Sequence, residues 1–338
     1  MGFFHSFFIS GDLQTSLRYA WVQNMVLSNA TSIWFPNLGI ELKNIGSSIN
    51  LFGFPIAYYG IIIACGMAAG YLITEWMAKR TKQNADIYLD FALYAIIFSV
   101  LGARLYYVAF AWDEYKDNLI QILNIRNGGL AIYGGVIAAV ITAYTYCKIK
   151  KYNFGLLADT GCIGLITGQI IGRWGNFFNR EAFGKYTDGP FAMLLNIKDV
   201  SSDYTTSLSI LTERYMGKEK ALNNIIEIRN NIVQIGGESY ISVHPTFLYE
   251  SVWNICVLIL LIIYTKHKKF HGEVFLLYLA GYGLGRFWIE GLRTDQLFLW
   301  NSPIAVSQML SGILFVLSIG IIVYKRSKLK NVKRRVKM

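Results

Sequence analysis

Residues 156–184 read LLADTGCIGLITGQIIGRWGNFFNREAFG. From Leu156 to Phe177 the run is long and apolar enough to cross a bilayer, whose hydrocarbon core of about 30 Å needs about 20 helical residues. Around its end it carries Arg173, Asn176, Asn179 and Glu181, polar groups where oil is expected. Such groups are costly in a membrane; they mark either a functional site or a helix end reaching for water.

Composition agrees with the membrane reading. The 338 residues are 54% hydrophobic and only 16% charged, with a mean hydropathy of +0.38, too apolar for an ordinary soluble domain. Cys65, Cys147, Cys162 and Cys256 all fall inside apolar runs without metal-type spacing, so they read as packing residues rather than a disulfide framework or a zinc site.

Seven candidate spans follow: Phe54 to Thr74, Ile87 to Ala111, Gly129 to Cys147, Leu156 to Phe177, Phe247 to Thr265, Val274 to Ile289 and Pro303 to Tyr324. The expected class is an all-α integral membrane protein with a small external head. The divisions are an N-terminal arm (1–53), four spans (54–177), a head loop (178–246), three spans (247–324) and a basic tail (325–338). The arm lacks the pattern of a cleavable signal peptide and is expected to lie along the membrane surface. In the head loop, ERYMGKEKALNNIIEIRNN suits one or two amphipathic helices.

Basic residues set the orientation. Lys79, Arg80 and Lys82, then Lys148, Lys150 and Lys151, then Lys266, Lys268 and Lys269, and finally the tail KRSKLKNVKRRVKM hold more than half of the 32 lysines and arginines. They alternate with poorly basic loops, which puts the N-terminus outside and the C-terminus inside. The net charge of +11 is thereby assigned to the membrane, and nothing in the sequence points to nucleic acid.

On this topology Arg173 and Arg286 end their spans at the outer side, where Tyr59, Tyr133, Arg104, His244, Tyr249 and Glu250 also arrive. A lone arginine near a helix end often only snorkels. Here Tyr282, Arg286, Glu290 and Arg293 recur at helical spacing on one face, and Arg173 and Asn176 are a turn apart, which favours a polar cavity. Glycines 161, 164, 168, 172 and 175 leave a bare stripe on the fourth span, open to another helix or to a lipid tail. A guanidinium binds phosphate bidentately and stays charged, so a phospholipid headgroup suits the cavity. A transporter or flippase for an anionic solute or lipid is the alternative, although midplane charges and inverted repeats are not evident; a lipid-binding scaffold is a third.

GRWGNFFNREAFG, with YYGIIIACG, GARLYYV, GGLAIYGG, HPTFLYE and GYGLGRFWIEGLRTD in the same order, resembles the bacterial prolipoprotein diacylglyceryl transferases across about residues 52–325. The resemblance implies seven helices in the bacterial plasma membrane, with the active site toward the outer face. It also implies transfer of a diacylglyceryl group from phosphatidylglycerol to the lipobox cysteine of a prolipoprotein signal peptide, releasing glycerol phosphate. No cofactor or metal is implied. By matching motif positions, Arg173, Arg286, Glu181, Glu290 and Tyr133 are the expected catalytic residues. Arg173, Asn176, Tyr59, Arg286, Tyr282 and His244 are expected to bind phosphatidylglycerol. Many members carry histidine where this chain has Tyr133, so the identity of the base is open. Glu290 is expected to orient Arg286 or Arg293, and Glu181 to position Arg173 or the peptide.

Overall fold

The computed structural model describes residues 32–52, 54–125, 128–216, 218–296 and 305–335. Most of the N-terminal arm and the expected start of the last span at Pro303 lie outside the described residues. Among the described residues nine α-helices are longer than a single turn: α1 (Tyr58–Arg80), α2 (Asp86–Phe110), α3 (Ile132–Ile149), α4 (Phe154–Asn179), α5 (Leu208–Arg214), α6 (Glu219–Asn230), α7 (Thr246–Tyr264), α8 (Glu273–Glu290) and α9 (Val306–Arg335). Backbone polar groups in lipid must be satisfied within the segment, which is why long apolar runs settle as helices. Among the described residues six helices are long and apolar enough to cross a membrane: α1 to α4, α7 and α9. The other expected span forms α8, but Glu273, Arg286 and Glu290 make it too polar to qualify on composition.

The all-α expectation is corrected. Among the described residues are seven short strands: β1 (Ile33–Phe35), β2 (Ile40–Leu42), β3 (Ser48–Leu51), β4 (Phe54–Ala57), β5 (Met193–Asn196), β6 (Val233–Ile235) and β7 (Glu238–Val243). Five form an antiparallel sheet in the order β2-β1-β5-β7-β6, and β3 pairs with β4. The first span therefore begins at Tyr58 rather than Phe54. At the far end the helix does not stop at Tyr324 but runs through the basic tail to Arg335. Lysine and arginine are good helix formers and no glycine or proline interrupts them.

The chain divides into two units, which are taken in turn. The first comprises Met1–Gly66, Gln169–Val257 and Leu279–Ser318. In it the sheet is covered on one face by a core of Ile33, Phe35, Met193, Leu195, Ile241 and Val243 with Leu211 of α5, Ile225 and Ile228 of α6, and Phe177 and Phe247. The opposite face carries Trp34, Leu194, Ile235 and Tyr240. Period-2 alternation is thus kept, but both faces are buried, so β1 and β5 read as continuous apolar runs. The amphipathic stretch expected in the head loop is α5 and α6.

The second unit comprises Met67–Gly168, Leu258–Tyr278 and Ile319–Met338. Here α1 and α4 cross at Gly70 and Gly164, so closely that a Cβ on Gly70 would stand 2.7 Å from the Gly164 carbonyl oxygen. This answers one end of the glycine stripe with helix packing. Buried Asp159 caps the start of α8, accepting from the backbone N–H groups of Gly272 and Phe275 at 2.9 and 3.0 Å and from Lys268 at 3.1 Å.

Candidate active site

The segment that follows α4 turns sharply. The Arg180 N–H donates to the Phe177 carbonyl at 3.2 Å and the Glu181 N–H to the Asn176 carbonyl at 3.0 Å, the paired bonds of a Schellman cap. That cap usually takes glycine, yet here Arg180 is left-handed at φ 52°, and Ala182 follows at φ 56°. Two non-glycine residues held there store strain, and such strain gathers at functional sites. Thr246 at the start of α7 donates to the Ala182 carbonyl, and Arg180 pairs with Asp199 at 3.3 Å.

Deeper in the same unit, α4, α7 and α8 bring their charges together around one carboxylate. Glu250, on α7 and only 4% exposed, pairs with Arg173 of α4 (Nε to Oε2, 2.6 Å) and with Arg286 of α8 (Nη1 to Oε1, 2.8 Å). Glu290, one turn along α8, pairs through Oε2 with Arg286 Nη2 at 2.6 Å, and its Oε1 accepts from Ser307 at 2.6 Å. Arg293 lies 3.9 Å from both Glu250 and Glu290 and forks onto Asp295 at 2.8 and 2.6 Å. Burial opposes the Arg293 charge, but the Asp295 fork outweighs it and raises the pKa above its ordinary value; the same fork overcomes burial to hold Asp295 below the usual carboxylate range.

The charge balance has a consequence. Arg173, Arg286 and Arg293 face Glu250, Glu290 and Asp295, so the group is neutral as it stands. A half-buried cationic triad without counterions would be too costly to hold. Among the described residues Arg173 spends only Nε on a carboxylate, which leaves both Nη atoms of its fork for an anion. Because α4 ends here, that fork sits one turn from Asn176, which is partly buried.

The remaining candidates are placed as follows. The Tyr59 ring packs on Gly175, where a Cβ would come within 2.6 Å of it, and Gly172 meets Ile63; the upper glycine stripe also serves packing. Tyr282 lies two α8 turns before Glu290 and is partly buried. His244 bonds through Nδ1 with the Tyr249 hydroxyl at 3.1 Å, and burial, helped by Lys185, lowers its pKa. Glu181 accepts from Asn179 at 3.2 Å; the carboxylate on Arg173 is instead Glu250, which the sequence brought to the outer layer without giving it a role. Tyr133 lies in the second unit at the start of α3, 49% exposed. Arg104, in that unit too, spends its five N–H groups at 2.7 to 3.1 Å on the carbonyls of Gln121, Ile122, Asn124, Gly128 and Gly129. It is a staple for the turn before α3.

Known proteins give this arrangement a lineage. Residues 47–324 match the family model described as prolipoprotein diacylglyceryl transferase. A phosphatidylglycerol--prolipoprotein diacylglyceryl transferase of Listeria monocytogenes serotype 4b is 41% identical over 83% of this chain and 90% of its own length. Proteins of the same name from Clostridioides difficile and Bacillus cytotoxicus are 38% and 39% identical, over 84% and 82% of this chain and 96% and 91% of theirs. The match takes in every helix from α1 to α8, the sheet strands β5 to β7 and the residues around Glu250, and on that ground the chain belongs to the prolipoprotein diacylglyceryl transferase family.

Proposed function

We propose that this chain transfers the diacylglyceryl group of phosphatidylglycerol to the cysteine thiol of a prolipoprotein lipobox. A thioether forms between the sulfur and the glycerol carbon that bore the phosphate, the carbon–oxygen bond at that carbon breaks, and glycerol phosphate leaves with the bonding pair. The thiol proton goes to a base. As the diester becomes a monoester, a second negative charge grows on the departing phosphate.

Stabilising that charge is the protein's main task, since preorganised donors aimed at developing charge supply the largest share of many rate enhancements. Arg173 offers its free fork and Arg286 a second guanidinium, with Asn176, Tyr59, Tyr282 and His244 as neutral partners for phosphate and polyol. Glu250 fixes Arg173 and Arg286 relative to each other before substrate arrives, and Glu290 holds Arg286 from the far side. The coupling of two arginines from different helices through one buried carboxylate is the observation that carries this reading. Glu181, in the strained turn after α4, is assigned to the incoming peptide. Tyr133, to which the resemblance gives a catalytic place, is read as a hydrogen-bond donor rather than the base, since a phenol O–H donates readily.

The setting is a bacterial plasma membrane, with α8 as the seventh span, the N-terminus outside and the site toward the outer face, where a secreted preprotein emerges. The basic loops and the basic end of α9 support that orientation. On this topology the domains are the N-terminal arm, extended through β4 to residue 57, the spans 58–177 and 247–324, the head 178–246 and the tail 325–338. Purified protein in nanodiscs, given phosphatidylglycerol and a lipobox peptide, is expected to yield the thioether by mass and to prefer that lipid over phosphatidylethanolamine, whose ammonium would meet Arg173 and Arg286. Equal transfer from both lipids would sink the headgroup assignment.

A further inference from the structure

The packing of the first unit leaves the hairpin β3–β4 uncovered. All eight of its paired residues are exposed, and they include Ile49, Leu51, Phe54 and Ile56, with Phe54 at 72%. At the tip, Leu51 pairs with Phe54, and Phe52 lies in the connection between them. Phe52 is 94% exposed and left-handed at φ 50°. Two-residue hairpin connections favour asparagine, aspartate or glycine at such a φ, and a bulky aromatic there is a genuine outlier. A phenylalanine at that position contributes nothing to the turn and buries nothing in the protein. By register Ile49, Leu51, Phe54 and Ile56 share one face and Ser48, Asn50, Pro55 and Ala57 the other, and a two-stranded ribbon with an uncovered apolar face is at best marginal in water.

The base, in contrast, is pinned. The Tyr58 N–H, first of α1, donates to the Ser47 carbonyl at 2.9 Å, and Arg180 donates to the Ile45 carbonyl. The Tyr58 ring packs on Phe178 at 5.1 Å, and Tyr59 on Gly175. The ribbon thus springs from the junction of α1 with the end of α4, and four residues of strand let its tip reach about 13 Å from there. No charged residue occurs between Lys43 and Glu75, so the apolar surface of the hairpin is continuous in sequence with that of a candidate membrane span.

We infer that β3–β4 is a lipid-engaging wedge: Phe52, Phe54, Leu51 and Ile49 enter the membrane–water interface that α1 crosses, beside the end of α4 that carries Arg173. Open strand edges are not tolerated in hydrocarbon, so the ribbon lies in the headgroup layer and only its tip side chains reach the acyl boundary, the depth of an interfacial amphipathic element. The hairpin carries no charge for an acidic or basic partner to grip. The inference rests on the membrane reading of α1 and not on the transfer reaction.

The test is a depth measurement on the full chain in nanodiscs. The exposed thiols Cys65 and Cys256 are replaced by alanine, and an environment-sensitive fluorophore is attached at Phe52→Cys, with Ser209→Cys on exposed α5 as the aqueous reference. Phe54→Cys provides a second position should the first variant fold poorly. Blue-shifted emission, quenching by nitroxide lipid and protection from iodide at the tip, with the reverse at position 209, are expected. Iodide quenching at the tip equal to that at position 209 would place the hairpin in water, and quenching by neither agent would mean that protein covers it; either result overturns the inference.

Discussion

Glu250→Gln isolates what the buried carboxylate does. The side chains are nearly isosteric, but glutamine keeps one acceptor and turns an amide NH2 toward a guanidinium. Glu250 holds Arg173 and Arg286 at 2.6 and 2.8 Å from different oxygens, so one arginine must lose its partner. Removing one member of a buried ion pair costs about 3–5 kcal/mol. The lower end applies, because the Arg173 and Arg286 side chains are 19% and 16% exposed and Glu290 still holds Arg286. Roughly 3 kcal/mol corresponds to about a 10²-fold loss if it falls on the transition state. Single-turnover transfer to a labelled lipobox peptide in nanodiscs should show that loss, with lipid binding largely retained. Glu250→Asp should fall between, since a shorter carboxylate reaches one arginine better than two. A Glu250→Gln protein that is folded, binds lipid and reacts within about threefold of the parent would show that Arg173 and Arg286 need no common anchor.

Four further outcomes are expected. Arg173→Ala should cost at least about 10²- to 10³-fold in transfer, and Arg173→Lys should restore little, since a point charge cannot replace a fork. Tyr133→Phe should keep measurable activity, because about 3% of a cysteine is already thiolate near pH 7 and a base can add only about 30-fold; loss equal to that of Arg173→Ala at unchanged lipid binding would make the tyrosine the base. Gly175→Ala should displace the Tyr59 ring and destabilise by about 1–3 kcal/mol, read as a lower denaturation midpoint; an unchanged midpoint would count against that contact. His244, whose folded pKa lies below its ordinary 6.5, binds fewer protons folded than unfolded, so the stability it contributes is full above that ordinary value and declines as pH falls through it toward the folded one. Thermal unfolding of His244→Gln should therefore lose part of the acid-side slope between about pH 7.5 and about pH 5.

Much of the architecture is legible because a bilayer imposes a long, contiguous signal. Each span is a run of about 20 apolar residues, and all seven expected segments became helices, α8 differing only in the charges at its ends. The five-stranded sheet was hidden for the opposite reason. Its strands are three to six residues long, and the pairing of Trp34 with Leu194 joins segments that no local pattern connects. The hairpin was absorbed into the first span because FPIA is as apolar as the helix after it; Pro55, tolerated on an edge strand, was the available sign. At the site, the spacing of Arg286 and Glu290 along one helix face was readable, but α8 ends at Glu290 and Arg293 reaches the group from the turn beyond it. Glu250 was readable as a member of the outer layer but not as the common anchor, since its partners come from α4 and α8. A carboxylate five residues into an apolar span is expensive enough to demand a cation, and that cost was the clue.

The most direct measurement is the mass and stoichiometry of the products when purified protein meets phosphatidylglycerol and a lipobox peptide. One diacylglyceryl group on the cysteine sulfur, one glycerol phosphate released per thioether, and neither product above background with Arg173→Ala are expected. Lipid bound and carried across the bilayer without thioether formation, or a thioether formed equally well without Arg173, would contradict displacement driven by guanidinium stabilisation of the leaving phosphate.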